Sequence, residues 1–166
     1  MIRSPASAAD GLIRSTIERY QTTFNSGDRD GWLALFTHDG ELEDPAGTPP
    51  RMGRDGLAAF WDLIHDSRPH DGDRTVRMVQ GPLVCGLEAA WAFELRIPHG
   101  ERIAVVEIID QAVFTNDGLI RRLRAFWSEA TIRVEPLCSP DSGPTWSAAS
   151  QEPVPRGVGP SPDHSH

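Results

Sequence analysis
Four positions, Ile13, Ile17, Tyr20 and Phe24, recur at i, i+4, i+7 and i+11 and mark one face of an amphipathic helix. Asn25-Ser26-Gly27 ends that helix, and Asp28 is placed as the N-cap of a second, short helix carrying Trp32, Leu33, Leu35 and Phe36. His38-Asp39-Gly40 reads as a turn. The short strand ELEDP follows, stopped by Pro45 and the Gly/Pro-rich AGTPPRMG. Leu57, Phe60, Trp61 and Ile64, at i, i+3, i+4 and i+7, predict a third helix.

Beyond it the helical period gives way to alternation. RTVRMVQGPLV reads as a strand with a break at Gly81-Pro82. AAWAFELRI puts Trp91, Phe93, Leu95 and Ile97 on one face and Glu94 and Arg96 on the other. Pro98-His99-Gly100 turns into the strand RIAVVEIIDQAVF, and Asn116-Asp117-Gly118 turns into LIRRLRAFWSEATIRV, read as one further strand. Helices first and an antiparallel meander later predict an α+β class, with helices packed on one sheet face.

Length and composition refine this picture. The 166 residues, 39% apolar and 24% charged, are expected to form one domain over residues 8–134, after a flexible N-terminus of residues 1–7. Residues 135–166 hold seven of the 14 prolines without apolar periodicity, which predicts a disordered tail. A formal net charge of −8 argues against nucleic acid as a partner. All 16 basic residues are arginine, so lysine Schiff-base chemistry and phosphate-loop nucleotide sites are excluded. No apolar run reads as a signal peptide or a bilayer span, and the expected location is the cytoplasm. Cys85 and Cys138 form no disulfide or zinc pattern, and Cys85 reads as a buried filler. His65 and His70 lack a third ligand at sensible spacing, so no metal is expected.

Three polar residues fall where the pattern places the core. Tyr20, the only tyrosine, lies on the buried face of the first helix. Asp44 shares a side with Leu42 at the end of ELEDP, although an aspartate before proline also suits a turn that bonds its own backbone. Asp110 lies on the face of its strand that carries Val106, Ile108, Ala112 and Phe114. A carboxyl there is costly unless paired or neutral, and desolvation raises its pKa. The alternative is an ion pair with Arg122 or Arg124, which would lower it. Alternation instead places those arginines outward and Leu123, Ala125 and Trp127 inward. A tyrosine and a neutral acid can both donate to an oxygen that gains charge, while an ionised aspartate moves the proton.

The run YQTTFNSGDRDGWLALFTHDGELEDPAGTPPRMGRDGLAAFW, and later VVEIIDQAVF and RAFW, resembles bacterial Δ5-3-ketosteroid isomerases within the SnoaL-like, nuclear transport factor 2-like superfamily. The EDPxG segment is common across that superfamily; the combination of Tyr20, Asp44 and Asp110 is more specific. The likeness spans roughly residues 10–132. It implies a curved antiparallel sheet wrapped around three helices to form a conical pocket. Asp44 would be the proton-shuttling base, with Tyr20 and protonated Asp110 as the oxyanion hole. Phe36, Trp61, Trp91, Phe93, Leu95, Leu123, Ala125 and Trp127 would surround a flat apolar ketone, and no cofactor is required.

The family also implies a homodimer through the outer sheet face, where Glu94, Arg96 and Glu107 would make the contact unusually polar. Some members add further tyrosines bonded to the first. Here Trp61 stands at such a position, and its indole can donate but not accept. The expected activity is therefore steroid Δ5-3-ketosteroid isomerisation. Its alternatives are a polyketide cyclase or tailoring enzyme using the same acid and base, and a non-catalytic ligand-binding module. An epoxide-opening relative would need a second carboxylate or an Arg-Asp pair near the base, with Arg77 as the strand arginine to consider.

Overall fold
A computed structural model describes residues 5–66 and 73–137. The long helix α1 (Pro5–Ser26) is followed by α2 (Arg29–Leu33), whose first turn is capped by the Asp28 carboxylate accepting from the Gly31 N–H at 2.9 Å. Strands β1 (Phe36–Glu43) and β2 (Arg51–Met52) lead into α3 (Gly53–Asp66). Four strands then run β3 (Thr75–Cys85), β4 (Glu88–His99), β5 (Arg102–Phe114) and β6 (Ile120–Phe126). A 3₁₀ turn at Glu129–Thr131 precedes β7 (Ile132–Pro136).

The sheet order is β2-β1-β6-β5-β4-β3, with β7 joining β5 beyond the stretch taken by β6. The β3–β4–β5–β6 meander is antiparallel as its turns predict, but β1 lies parallel to β6, with Leu42 opposite Leu123. The sheet is therefore mixed rather than antiparallel, because β1 enters from the helical layer and not through a hairpin.

Three other expectations change. His38-Asp39-Gly40 lies inside β1, where the register shifts between Phe36 and Glu41 and a Cβ on Gly40 would come within 3.1 Å of Phe36. The turn-forming residues are absorbed as an irregularity in the strand. The stretch read as one strand from Leu119 to Val134 is two, broken by the 3₁₀ turn after Trp127, and β7 runs on to Pro136. Cys85 is exposed at the end of β3, not a buried filler. Leu35 and Phe36 fall just past the short second helix but are buried as expected. The Pro-rich segment beyond Leu137 lies outside the described residues, as do His70 and Cys138.

The helices close over one sheet face, and side chains fasten α1 along the β3 edge. Asn25 donates to the Val76 carbonyl and accepts from its N–H, at 2.9 and 2.8 Å. Gln21 accepts from the Met78 N–H at 2.6 Å, and Arg14 donates to the Pro82 carbonyl at 2.9 Å. These bonds occupy backbone groups that an edge strand would otherwise present to another chain. At the far end, Thr16 donates to the Gly118 carbonyl at 2.7 Å. Gly118, at φ +80°, lies so close to α1 that a Cβ would sit 2.8 Å from Leu12.

The enclosed core is aromatic: Tyr20, Phe24, Trp32, Phe36, Phe60, Trp61, Trp91 and Phe93 belong to one buried cluster. The outer face is ionic. Arg77 and Arg133 both donate to Glu94, at 2.6 and 3.0 Å, and Arg133 also bonds Glu107. Among the described residues, no helix is long and apolar enough to cross a membrane.

Candidate active site
Each of the three polar residues comes from a different element. Tyr20 is carried by α1, Asp44 follows directly on β1, and Asp110 lies within β5. The sheet register brings the two carboxyls into line. Trp91 pairs with Asp110, and Asp110 pairs with Ala125. Glu43 pairs with Arg124, so Asp44 comes next to Ala125, where the Ala46 N–H donates to the Ala125 carbonyl at 2.7 Å. One row of the inner face thus runs Trp91, Asp110, Ala125, Asp44. Between the acids this row carries only a methyl group.

Tyr20 approaches from the helical side. Its ring stacks on Phe93 at 5.8 Å and lies tilted against Trp32 at 5.7 Å. Burial pushes its hydroxyl pKa well up, and the negative charges of Asp110 and Asp44 push it further. The Trp32 indole, which makes no full hydrogen bond, opposes this weakly from close range. Tyr20 therefore remains a hydrogen-bond donor throughout the ordinary pH range.

The two carboxyls experience unlike surroundings. Asp110 is 3% exposed, and its Oδ1 has no hydrogen-bond partner. Burial, followed by the charge of Asp44, holds its pKa well above the ordinary value. Burial also raises Asp44, but the Trp127 indole donates to its Oδ1 at 2.6 Å, and Arg51 adds a favourable charge. Both partners favour the anion, but burial outweighs them and leaves the Asp44 pKa raised, by less than that of Asp110. Asp44 is consequently the acid that ionises first, and its charge then helps to keep the proton on Asp110.

The arginines weighed as alternative ion-pair partners of Asp110 lie elsewhere. Arg122 and Arg124 are on the outer side, donating to the Glu43 carboxylate at 2.6 and 3.0 Å. Glu43 also accepts from the Gly47 N–H at 3.1 Å, so this residue, rather than Asp44, makes the local backbone bond. Arg77 lies with Glu94 outside the site and cannot partner the base. The expected lining residues Phe36, Trp61, Trp91, Phe93, Leu123 and Ala125 all belong to the buried cluster, with Leu95 and Trp127 packed against it.

Two contributors were missed. Arg51 follows Pro49-Pro50 in what reads as a stop segment, and only the pairing of β2 with β1 brings its charge near Asp44. Trp127 was expected to supply a wall. Its indole N–H proves equally important, and the one sequence signal for this was its place two residues after Ala125 on the inward set.

The SnoaL-like domain model matches residues 17–123, a span that includes Tyr20, Asp44 and Asp110. The chain belongs to the SnoaL-like family. One curated relative, Epoxide hydrolase LasB of Streptomyces lasalocidi, is 33% identical over 129 residues, covering 72% of this chain and 42% of that protein. The chain thus spans about two fifths of that relative's length. Among solved structures, the epoxide hydrolase/cyclase-like enzyme SalBIII, described as acting in pyran ring formation in the polyether salinomycin, superposes with a TM-score of 0.65. That likeness covers 76% of this chain and 99% of the other at 21% identity, and it speaks to the fold. The SnoaL-like fold accounts for the three helices packed over a curved mixed sheet. The polyketide-enzyme alternative fits these relatives better than the steroid isomerase does.

Proposed function
We propose that this SnoaL-like protein catalyses an epoxide-opening cyclisation on a polyketide-derived chain, with Asp110 as general acid and Asp44 as general base. The observation that carries this reading is the row in which Asp110 and Asp44 flank Ala125, in surroundings that push the pKa of Asp110 well up and that of Asp44 less, because Trp127 and Arg51 oppose its burial. Two carboxyl groups so divided are an acid/base assignment. LasB and SalBIII, described as an epoxide hydrolase and an epoxide hydrolase/cyclase-like enzyme, point to the same chemistry.

In this mechanism the substrate hydroxyl attacks one epoxide carbon and transfers its proton to Asp44. The epoxide C–O bond breaks as Asp110 delivers its proton to the departing oxygen, with the Tyr20 hydroxyl donating to the same atom. The products are a cyclic ether and a new alcohol, leaving Asp44 protonated and Asp110 ionised. Proton return from Asp44 to Asp110 resets the site. Apolar walls favour attack by the substrate's own hydroxyl by limiting competing water.

The steroid isomerase reading uses the same three residues in a different reaction, with Asp110 donating a hydrogen bond without releasing its proton. A synthetic epoxy alcohol placed for five- or six-membered closure separates the two. The expected result is a cyclic ether of one regiochemistry, its rate reduced roughly 10²–10⁴-fold in Asp44→Asn. Asp110→Asn, which donates a hydrogen bond but cannot supply an acidic proton, should also fail to turn over. No cyclisation, together with conversion of a Δ5-3-ketosteroid to its conjugated enone, would replace this function with the isomerase.

A further inference from the structure
Trp91 presents a second feature beside its aromatic ring. It is 2% exposed, and its Nε1–H is buried without a hydrogen-bond partner. The ring is held edge-on to Phe93 at 6.0 Å and tilted against Phe114 at 6.5 Å. Its strand neighbour is Asp110, whose Oδ1 is likewise unpartnered. A buried indole N–H forfeits a hydrogen bond that water would give, and folded proteins tolerate few such groups. Here a donor and an adjacent carboxyl oxygen are both unsatisfied at the acid end of the row, and they do not bond each other.

We propose that Trp91 is a substrate-binding, specificity-determining residue whose indole N–H holds an oxygen of the substrate beside Asp110. This deepens the cyclase reading and rests on it. The site is thereby matched to an oxygen-bearing chain, with a hydroxyl, ether or carbonyl oxygen at this point, rather than to a ligand that meets the β4 wall with hydrocarbon alone. A hydroxyl suits the pair best, because it can accept from Trp91 and donate to Asp110 Oδ1.

The test is a binding measurement independent of turnover, with 2-naphthol and naphthalene as probes that differ by one oxygen. In wild-type protein carrying ¹⁵N-tryptophan, 2-naphthol should move the Trp91 indole signal downfield, and naphthalene should not. In Trp91→Phe, which keeps an aromatic ring and removes the donor, affinity for 2-naphthol should fall roughly 3- to 10-fold, the worth of one neutral hydrogen bond. Naphthalene should hold within about twofold, since most of the apolar ring surface is retained. The inference is overturned by an unmoved Trp91 signal, by equal losses for both probes, or by no measurable binding of 2-naphthol to wild type. Failure of cyclisation with these binding results intact would overturn the cyclase reading and leave the oxygen site standing.

Discussion

The Trp127 indole N–H, 2.6 Å from Asp44 Oδ1, stabilises the ionised base, so its removal has a defined sign. Trp127→Phe should raise the Asp44 pKa and move the acid limb of the pH–rate profile to higher pH. A profile unchanged from wild type would show that the bond does not tune the base. Asp110 gives its own prediction, in stability. Its pKa is higher in the folded protein than its ordinary 3.8, so its contribution is full below that value and is lost as pH rises toward the folded pKa. Asp110→Asn removes this dependence, and thermal unfolding should show the variant gaining on wild type between pH 4 and pH 8. At this scale the sequence was informative for Asp110, because alternation set it among inward residues and favoured an outward place for Arg122 and Arg124, while parity alone left their ion pair with Asp110 open. It was blind to Arg51, whose effect depends on a two-residue strand that no periodicity marks.

At the scale of elements, Glu43 ties β1 to β6. Arg122 and Arg124 together with the Gly47 N–H hold its pKa down to about 2 from an ordinary 4.5. The stabilisation is therefore present above pH 4.5 and lost as pH falls toward 2. Glu43→Gln should lower the melting temperature at pH 7 and converge with wild type as acid protonates Glu43; a constant difference across that range would contradict the ion-pair account. Because Asp44 is the next residue, the variant should also disturb the base, visible as a lower kcat. A second element-level test is Ala125→Leu, which puts a larger side chain between the acids. Turnover should be nearly abolished, whereas overpacking alone costs about 1–3 kcal/mol of stability. Retained turnover in the folded variant would deny that this gap is the reaction site.

Within those elements, the helices and hairpins were legible because their signals are local. The Ile13–Phe24 face predicted α1, and Asn116-Asp117-Gly118 predicted the β5–β6 turn. The parallel pairing of β1 with β6 was not legible, since the partners are separated by the whole meander. The break before β7 was hidden for a related reason: alternation continues in composition while the backbone makes a 3₁₀ turn.

At the scale of the whole molecule, charge is sorted by the face of the sheet. Glu43, Glu94 and their arginines lie outside, while Asp110 is kept unpaired inside, although all come from the same strands or their neighbours. That sorting allows an acidic chain rich in arginine to keep a carboxyl with a raised pKa in its core. It also explains why the family resemblance located the candidate triad without choosing the reaction: donor, acid and base serve enolisation and epoxide opening alike. The similarity to an epoxide hydrolase is what favours the latter as the proposed reaction.

The central claim is that Asp110 is protonated while Asp44 is ionised, and the most direct measurement is the ¹³C signal of the aspartate carboxyl carbons at pH 7. Spectra of wild type, Asp110→Asn and Asp44→Asn assign the two groups by the signal each variant loses. The account predicts a carboxylic-acid signal missing in Asp110→Asn and a carboxylate signal missing in Asp44→Asn. A carboxylate at Asp110 at this pH would contradict it and leave the site without its acid.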